Sequence, residues 1–125
     1  MTYLLDVSAL MALLWQTHEH HERVTRWQSG KALAVCPLSE LGFLRISSQP
    51  VLGASVQEAR KMLKDWKVAR KPQFLPCDLE ALKTDAPPTT ARTTDFYLAS
   101  LASRHGLQLA TLDETIGHKA VFLIP

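Results

Sequence analysis

Short apolar runs, too brief to be independent helices, recur along this chain, and each leads into a longer segment of helix-forming residues. The first such unit is "TYLLDV" followed by "SALMALLWQ". A run of that length suits a buried strand, and strands alternating with helices are the pattern of a domain built on a mainly parallel sheet. The alternation continues to the last residues and predicts an α/β fold.

The individual elements follow from local chemistry. One helix, or a pair of helices, is expected to carry on through "HEHHERVTRWQSG", where Val24 and Trp27 lie three apart and Gly30 is a stop signal. "KALAVCP" predicts a second strand closed by Pro37, and "LSELGFLRISS" a helix from about Ser39. After the loop "SSQPVLGAS", the segment "SVQEARKMLKDWKVA" predicts a helix with Val56, Ala59, Leu63 and Trp66 on one face. "QFLPCD" predicts a short strand, "LEALKTD" a short helix and "APPTTARTT" a loop. "TDFYLASLASRHG" then predicts a helix stopped at Gly106, and "LQLATLD" and "KAVFLIP" predict the last two strands.

At 125 residues, with no repeat or linker, the chain is expected to form a single domain over residues 1–125 with one core. A hydrophobic fraction of 46% against 21% charged excludes a disordered chain, and a net charge of +2 excludes a global field of the kind that marks nucleic-acid binders. Cys36 and Cys77 stand alone without zinc-type spacing and read as reduced core residues. The start lacks a basic leader and carries Asp6 inside its apolar stretch, and no segment has the ~20 apolar residues of a membrane span. A cytoplasmic protein with no membrane association is expected.

Four acids fall at related places in this pattern. A helix from Asp95 to Arg104 climbs about 14 Å, and a strand from Leu107 to Leu112 returns about 17 to 20 Å. Asp95 and Asp113 should therefore share one edge of the sheet. Asp6 closes the first strand and Glu40 opens the helix after the second, which puts both at that same carboxyl edge. Such an edge holds the ligand crevice of open α/β sheets. Each close carboxylate pair left without a counter-ion costs from about 1 kcal/mol at a water-like dielectric to about 4 at an effective value near 20. Magnesium or manganese would relieve that repulsion, because hard cations prefer oxygen ligands. Taken singly, Asp95 and Glu40 also read as partners of a helix dipole, and Asp113 as a turn former. Asp6 and Asp113, the two that follow strands, are harder to dismiss, because Asp6 interrupts an apolar stretch and would be expensive to bury unpaired. Thr94 reads as an N-cap, whereas Ser8 and Thr111 are placed to orient a carboxylate.

The segments "LLDVSAL", "SELGFLRI", "TDFYLASLA" and "GLQLATLD", in this order, resemble the PIN domain, and more narrowly the small VapC-type ribonuclease toxins of bacterial toxin-antitoxin pairs. The resemblance covers about the whole chain. It implies a three-layer α/β/α arrangement around four or five mainly parallel strands. It further implies that Asp6, Glu40, Asp95 and Asp113 bind one or two Mg2+ or Mn2+ ions and act in catalysis, supported by Ser8 and Thr111. The implied reaction is hydrolysis of an RNA phosphodiester by water acidified by the cation, leaving a 5′-phosphate and a 3′-hydroxyl. A cognate antitoxin covering the acidic groove, an RNA substrate and a homodimer are the implied partners. Glu114 and Ile116 stand where such proteins often carry a basic residue and an aromatic, a departure at the substrate side that also offers Glu114 as an extra ligand.

Two further readings compete with metal-assisted RNA cleavage. One is a PIN-like module that binds RNA or a partner without cutting, and the other is an acid-site phosphatase, for which neither a second close acid after the first strand nor a strand-end lysine is present. No serine-histidine pair or glycine-rich phosphate loop suggests other chemistry. Among the remaining features, "HEHHE" places His18 and His21 on one face of a helix with His20 elsewhere and reads as a solvated end. The basic run from Arg60 to Lys71 reads either as a solvated face or, through Arg60, Lys61 and Lys64, as a contact for an RNA backbone. Trp15, Trp27 and Trp66 read as core or interface residues.

Overall fold

The computed structural model describes residues 1–125. Five strands, β1 (Thr2–Leu5), β2 (Ala32–Val35), β3 (Gln73–Phe74), β4 (Gln108–Thr111) and β5 (Val121–Leu123), form one sheet in the order β3-β2-β1-β4-β5. Every neighbouring pair is parallel, with Tyr3 opposite both Leu33 and Gln108.

Parallel strands need crossovers: the helices α1 (Val7–Leu14), α2 (His21–Gln28), α3 (Pro37–Ser47), α4 (Val56–Arg70) and α5 (Thr93–Arg104) supply them as far as β4, whereas residues 112–120 join β4 to β5 without a helix, so the expected alternation does not run to the last residues. The chain steps from β1 outward to β3, then reverses through α5 to reach β4. With crossovers of one hand, that reversal puts α5 on the sheet face opposite the other helices. The two cores bear this out. Leu5, Leu33, Val35 and Ala110 pack with α1, α2, Phe43 and Leu63, whereas Leu4, Ala34 and Leu109 pack with Leu98, Leu101 and Ala102 of α5. Alternate residues of each strand serve opposite layers, so β2 is apolar throughout, β1 is apolar after Thr2, and in β4 Leu109 and Ala110 face opposite cores.

Two contacts fix the ends of elements that carry acids. Gly106, at φ +73°, ends α5, and Leu107 N–H donates to Ala102 O while Gly106 N–H donates to Ser103 O, which turns the chain directly into β4. Gly42 lies where α3 crosses α1, and a Cβ there would fall 2.4 Å from Cγ2 of Val7. That close approach seats the middle of α3 on the start of α1.

Several expectations need correction. The helix α3 begins at Pro37 rather than about Ser39, because proline suits the first helical position, where its missing N–H is not needed. The strand expected from "QFLPCD" is two residues long, and Pro76 stands two residues beyond its end. "LEALKTD" makes a single 3-10 turn at Ala81–Lys83, and the expected loop before α5 contains another at Thr90–Arg92. Thr94 is not an N-cap: α5 already includes Thr93, and Arg92 occupies the cap position. On α4 only Ala59 and Leu63 of the expected apolar face are buried, while Val56 is exposed. Cys36 is buried as expected, but Cys77 is exposed. His18 and His21 do not share a helix face, because α2 begins only at His21. The tryptophans are core-facing: Trp27 is buried, and Trp15 Nε1 donates to Ser47 Oγ at 2.9 Å.

Candidate active site

The order of strands reverses between β1 and β4, and the crevice beyond their carboxyl ends is the position where open α/β sheets bind ligands. Asp6 follows β1 directly and is still tied to β4, since its N–H donates to Ala110 O at 3.1 Å. It also caps α1: Oδ1 accepts from Ala9 N–H at 2.8 Å and from Ser8 Oγ at 2.7 Å. Oδ2 accepts from the Thr111 hydroxyl of β4. A carboxylate has about four acceptor positions, so these three bonds leave one, on Oδ2.

Asp6 is only 5% exposed, and no cation bonds to it. Burial raises its pKa above the ordinary carboxylate range, outweighing the hydrogen bonds from Thr111, Ala9 and Ser8 that favour the ionised form, and the nearby charge of Asp95 pushes the same way. The hydroxyls of Ser8 and Thr111 serve the whole edge, because Leu112 N–H donates to Ser8 Oγ at 3.3 Å and Asp113 N–H to Thr111 Oγ1 at 3.0 Å.

Asp95 stands in the first turn of α5 and Asp113 two residues beyond β4. A residue that was not foreseen joins them. Arg92 Nη1 donates to Asp95 Oδ2 at 3.1 Å and to Asp113 Oδ2 at 2.7 Å, and Nη2 donates to the Thr115 hydroxyl. Thr115 in turn donates to Asp113 Oδ1 through its hydroxyl at 2.6 Å and its N–H at 2.9 Å. These Thr115 bonds, then Arg92, hold the Asp113 carboxyl down at about 2. The spacing of Arg92 and Asp95, three apart at a helix start, was the available signal for the first pair, but nothing local links Arg92 to Asp113.

Glu40 is set by α3, whose Ser39 hydroxyl donates to Leu5 O at 2.8 Å and so ties the start of that helix to the end of β1. Its carboxylate accepts from Lys67 Nζ of α4, a pair in which Glu40 is 15% exposed. Thus Asp6 is near Asp95, Asp95 and Asp113 share one guanidinium, and Glu40 is paired with an ammonium on α4. No three acids close around a single point as a finished metal-ligand cluster. Glu114 is exposed and forms no ion pair with the edge.

The donor chemistry nevertheless fits a hard divalent cation. All four side chains are carboxylates, one retains a free acceptor position beside a second acid, and a positive group already sits on the two at the rim. A groove of about 910 Å3 between α3 and α4 begins at Glu40 and brings Arg60, Lys61 and Lys64 along its wall, with Leu41, Leu44 and Leu63. Lys61 is paired there with Asp65 at 2.7 Å. Arg70 is turned elsewhere, onto Gln28 and the Lys31 carbonyl. His21 bonds to Ala12 O at 2.8 Å and takes no part in the acidic edge.

A doubly wound parallel sheet with acids gathered at its switch point defines the class of this protein. The sequence pattern of the PIN domain matches residues 3–121, and the chain belongs to the PIN-domain family. It is similar to Ribonuclease VapC38 of Mycobacterium tuberculosis, 37% identical over 118 residues that cover 88% of this chain and 84% of that protein. It is similar also to Ribonuclease VapC39 of the same organism, at 34% identity over 96% of this chain and 94% of that one. Among solved structures, VapBC2 from Rickettsia felis, bound to a DNA fragment from its promoter, matches with a TM-score of 0.64 at 11% identity, covering 98% of this chain and 97% of that one. No helix is long and apolar enough to cross a membrane.

Proposed function

We propose that this chain is the endoribonuclease toxin of a toxin-antitoxin pair, a Mg2+- or Mn2+-dependent hydrolase of RNA phosphodiester bonds. The observation that carries this reading is the placement of Asp6, Asp95 and Asp113 along the β1–β4 crevice, with Asp6 near Asp95 and the Arg92 guanidinium bonded to Asp95 and Asp113. The likeness to proteins named Ribonuclease VapC supports RNA as substrate, and the likeness to a VapBC assembly supports an antitoxin partner.

Asp6, Asp95, Asp113 and Glu40 are the residues that would hold the ion. When bound, a hard divalent cation acidifies an attacking water and offsets charge on the leaving oxygen. The chain's own part is to hold its donors still. Thr111 and Ser8 fix both oxygens of Asp6, and Ser39 anchors the helix start that carries Glu40. Arg60, Lys61 and Lys64 line a path leading to Glu40 and suit an RNA backbone. A single domain over residues 1–125, a homodimer, and action in the cytoplasm without membrane attachment complete the reading.

A second reading, a module that binds RNA or a partner without cutting, draws on one observation: Lys67 and Arg92 already satisfy three of the four acids. Total RNA incubated with the purified protein and Mn2+ or Mg2+ separates the two. Cleavage that disappears with chelator and in Asp95→Asn supports the nuclease. Intact RNA together with metal-independent RNA binding would favour the non-cutting module.

A further inference from the structure

Arg92 is the cation that bonds two of the proposed metal-holding acids, and it comes from this chain itself. Its side chain is 23% exposed, and its guanidinium has three partners at the acidic edge: Asp95, Asp113 and Thr115. The 3-10 turn Thr90–Arg92 runs straight into α5, and Thr93 Oγ1 donates back to Thr90 O at 2.8 Å, so the backbone below Arg92 is held at the helix start. The side chain is therefore delivered to the two carboxylates by local structure and not by a chance surface encounter.

One nitrogen, Nη1, bonds an oxygen of each acid. A divalent ion shared by Asp95 and Asp113 would compete with Arg92 for the same two carboxylates. Both cannot be satisfied together, because a guanidinium between the carboxylates would face the ion's charge at close range.

We infer that Arg92 is a built-in competitor of the metal: it neutralises Asp95 and Asp113 in the metal-free protein and must leave them for the ion to bind. This rests on the metal-dependent reading above. Its consequence is a threshold. The acidic edge avoids self-repulsion while empty, and the free-metal concentration needed to load it is set by how strongly Arg92 and its Thr115 anchor hold on. Thr115 acts only through Arg92 and Asp113, so its removal should shift the threshold in the same direction by less.

The test is Mn2+ binding to the purified full chain, followed by electron paramagnetic resonance of free Mn2+ and by titration calorimetry. Neither readout requires RNA or turnover. Arg92→Ala and Arg92→Gln should bind Mn2+ about five- to tenfold more tightly than the natural protein, as expected for release of a partly exposed, charge-assisted pair. Arg92→Lys, which keeps the charge but loses the fork, should fall between. Thermal melting of each variant identifies any that fails to fold, and Arg92→Lys carries the comparison if Arg92→Ala is among them. Natural protein that binds Mn2+ while the variants bind equally or more weakly would overturn the inference and leave the metal site standing. Absence of Mn2+ binding in every form would overturn both.

Discussion

Asp6 and Asp113 follow neighbouring strands at one edge of a sheet, yet the fold treats them in opposite ways. Asp6 is buried, receives three neutral donors and has its pKa raised by loss of solvent. Asp113 stands at the rim, 37% exposed, with Thr115 and the Arg92 guanidinium holding its pKa at about 2. Placement at the crevice therefore does not set the character of an acid. Its donors and depth do, and the buried member of this pair is stored at a cost that the rim member avoids.

The largest effect that can break this contrast is a pair of neutral substitutions. Asp6→Asn should abolish RNA cleavage, by more than the 10–100-fold typical of a supporting group, yet leave the melting temperature unchanged or raised, because it removes a buried charge. Asp113→Asn should lower the melting temperature instead, because it strips Arg92 of a partner. Cleavage assays and thermal melts at neutral pH check both, and a lower midpoint for Asp6→Asn would contradict its assignment as the strained member.

Thr111→Val probes the residue that links the two acids. It keeps the shape but deletes the donor to Asp6 and the acceptor for Asp113 N–H, so stability should fall by about 1–3 kcal/mol and cleavage by about 10–100-fold. Denaturant unfolding and initial rates provide the readouts.

The smallest effect lies in the pH dependence of stability. The pKa of Asp113 is depressed from 3.8 to about 2, so its contribution is complete above pH 3.8 and is lost as pH falls through 2. Asp6, raised by burial, has the opposite sign, contributing below 3.8 and losing that contribution as pH rises through its folded value. Arg92→Ala should flatten the acid limb below pH 4, a small effect because solvent screens the pair. Melting curves between pH 2 and 5 would show it, and an unchanged limb would assign the depression to Thr115 alone.

Much of the fold was legible because strands buried on both faces must be apolar along their length, and "YLL", "ALAV" and "LQLAT" have no other use. The short β3 was overread, since its pairing is cut off near Pro76. The carboxyl-edge placement of Asp6, Glu40, Asp95 and Asp113 also followed from element lengths. Only the Arg92–Asp95 pair, three positions apart, left a sequence signal; the partners Lys67–Glu40 and Arg92–Asp113 lie 27 and 21 positions apart, and only packing brings α4 to Glu40 and the turn before α5 to Asp113.

Sequence by itself determined a parallel α/β chain with four acids and two supporting hydroxyls at one edge, because periodicity and strand-end position are local properties. Tertiary structure alone decided which acids meet. The sheet order puts β1 beside β4, Gly42 lets α3 close on Val7, and Arg92 is set between two carboxylates. Charge pairing and solvent access depend on distance through space, which spacing along the chain does not encode.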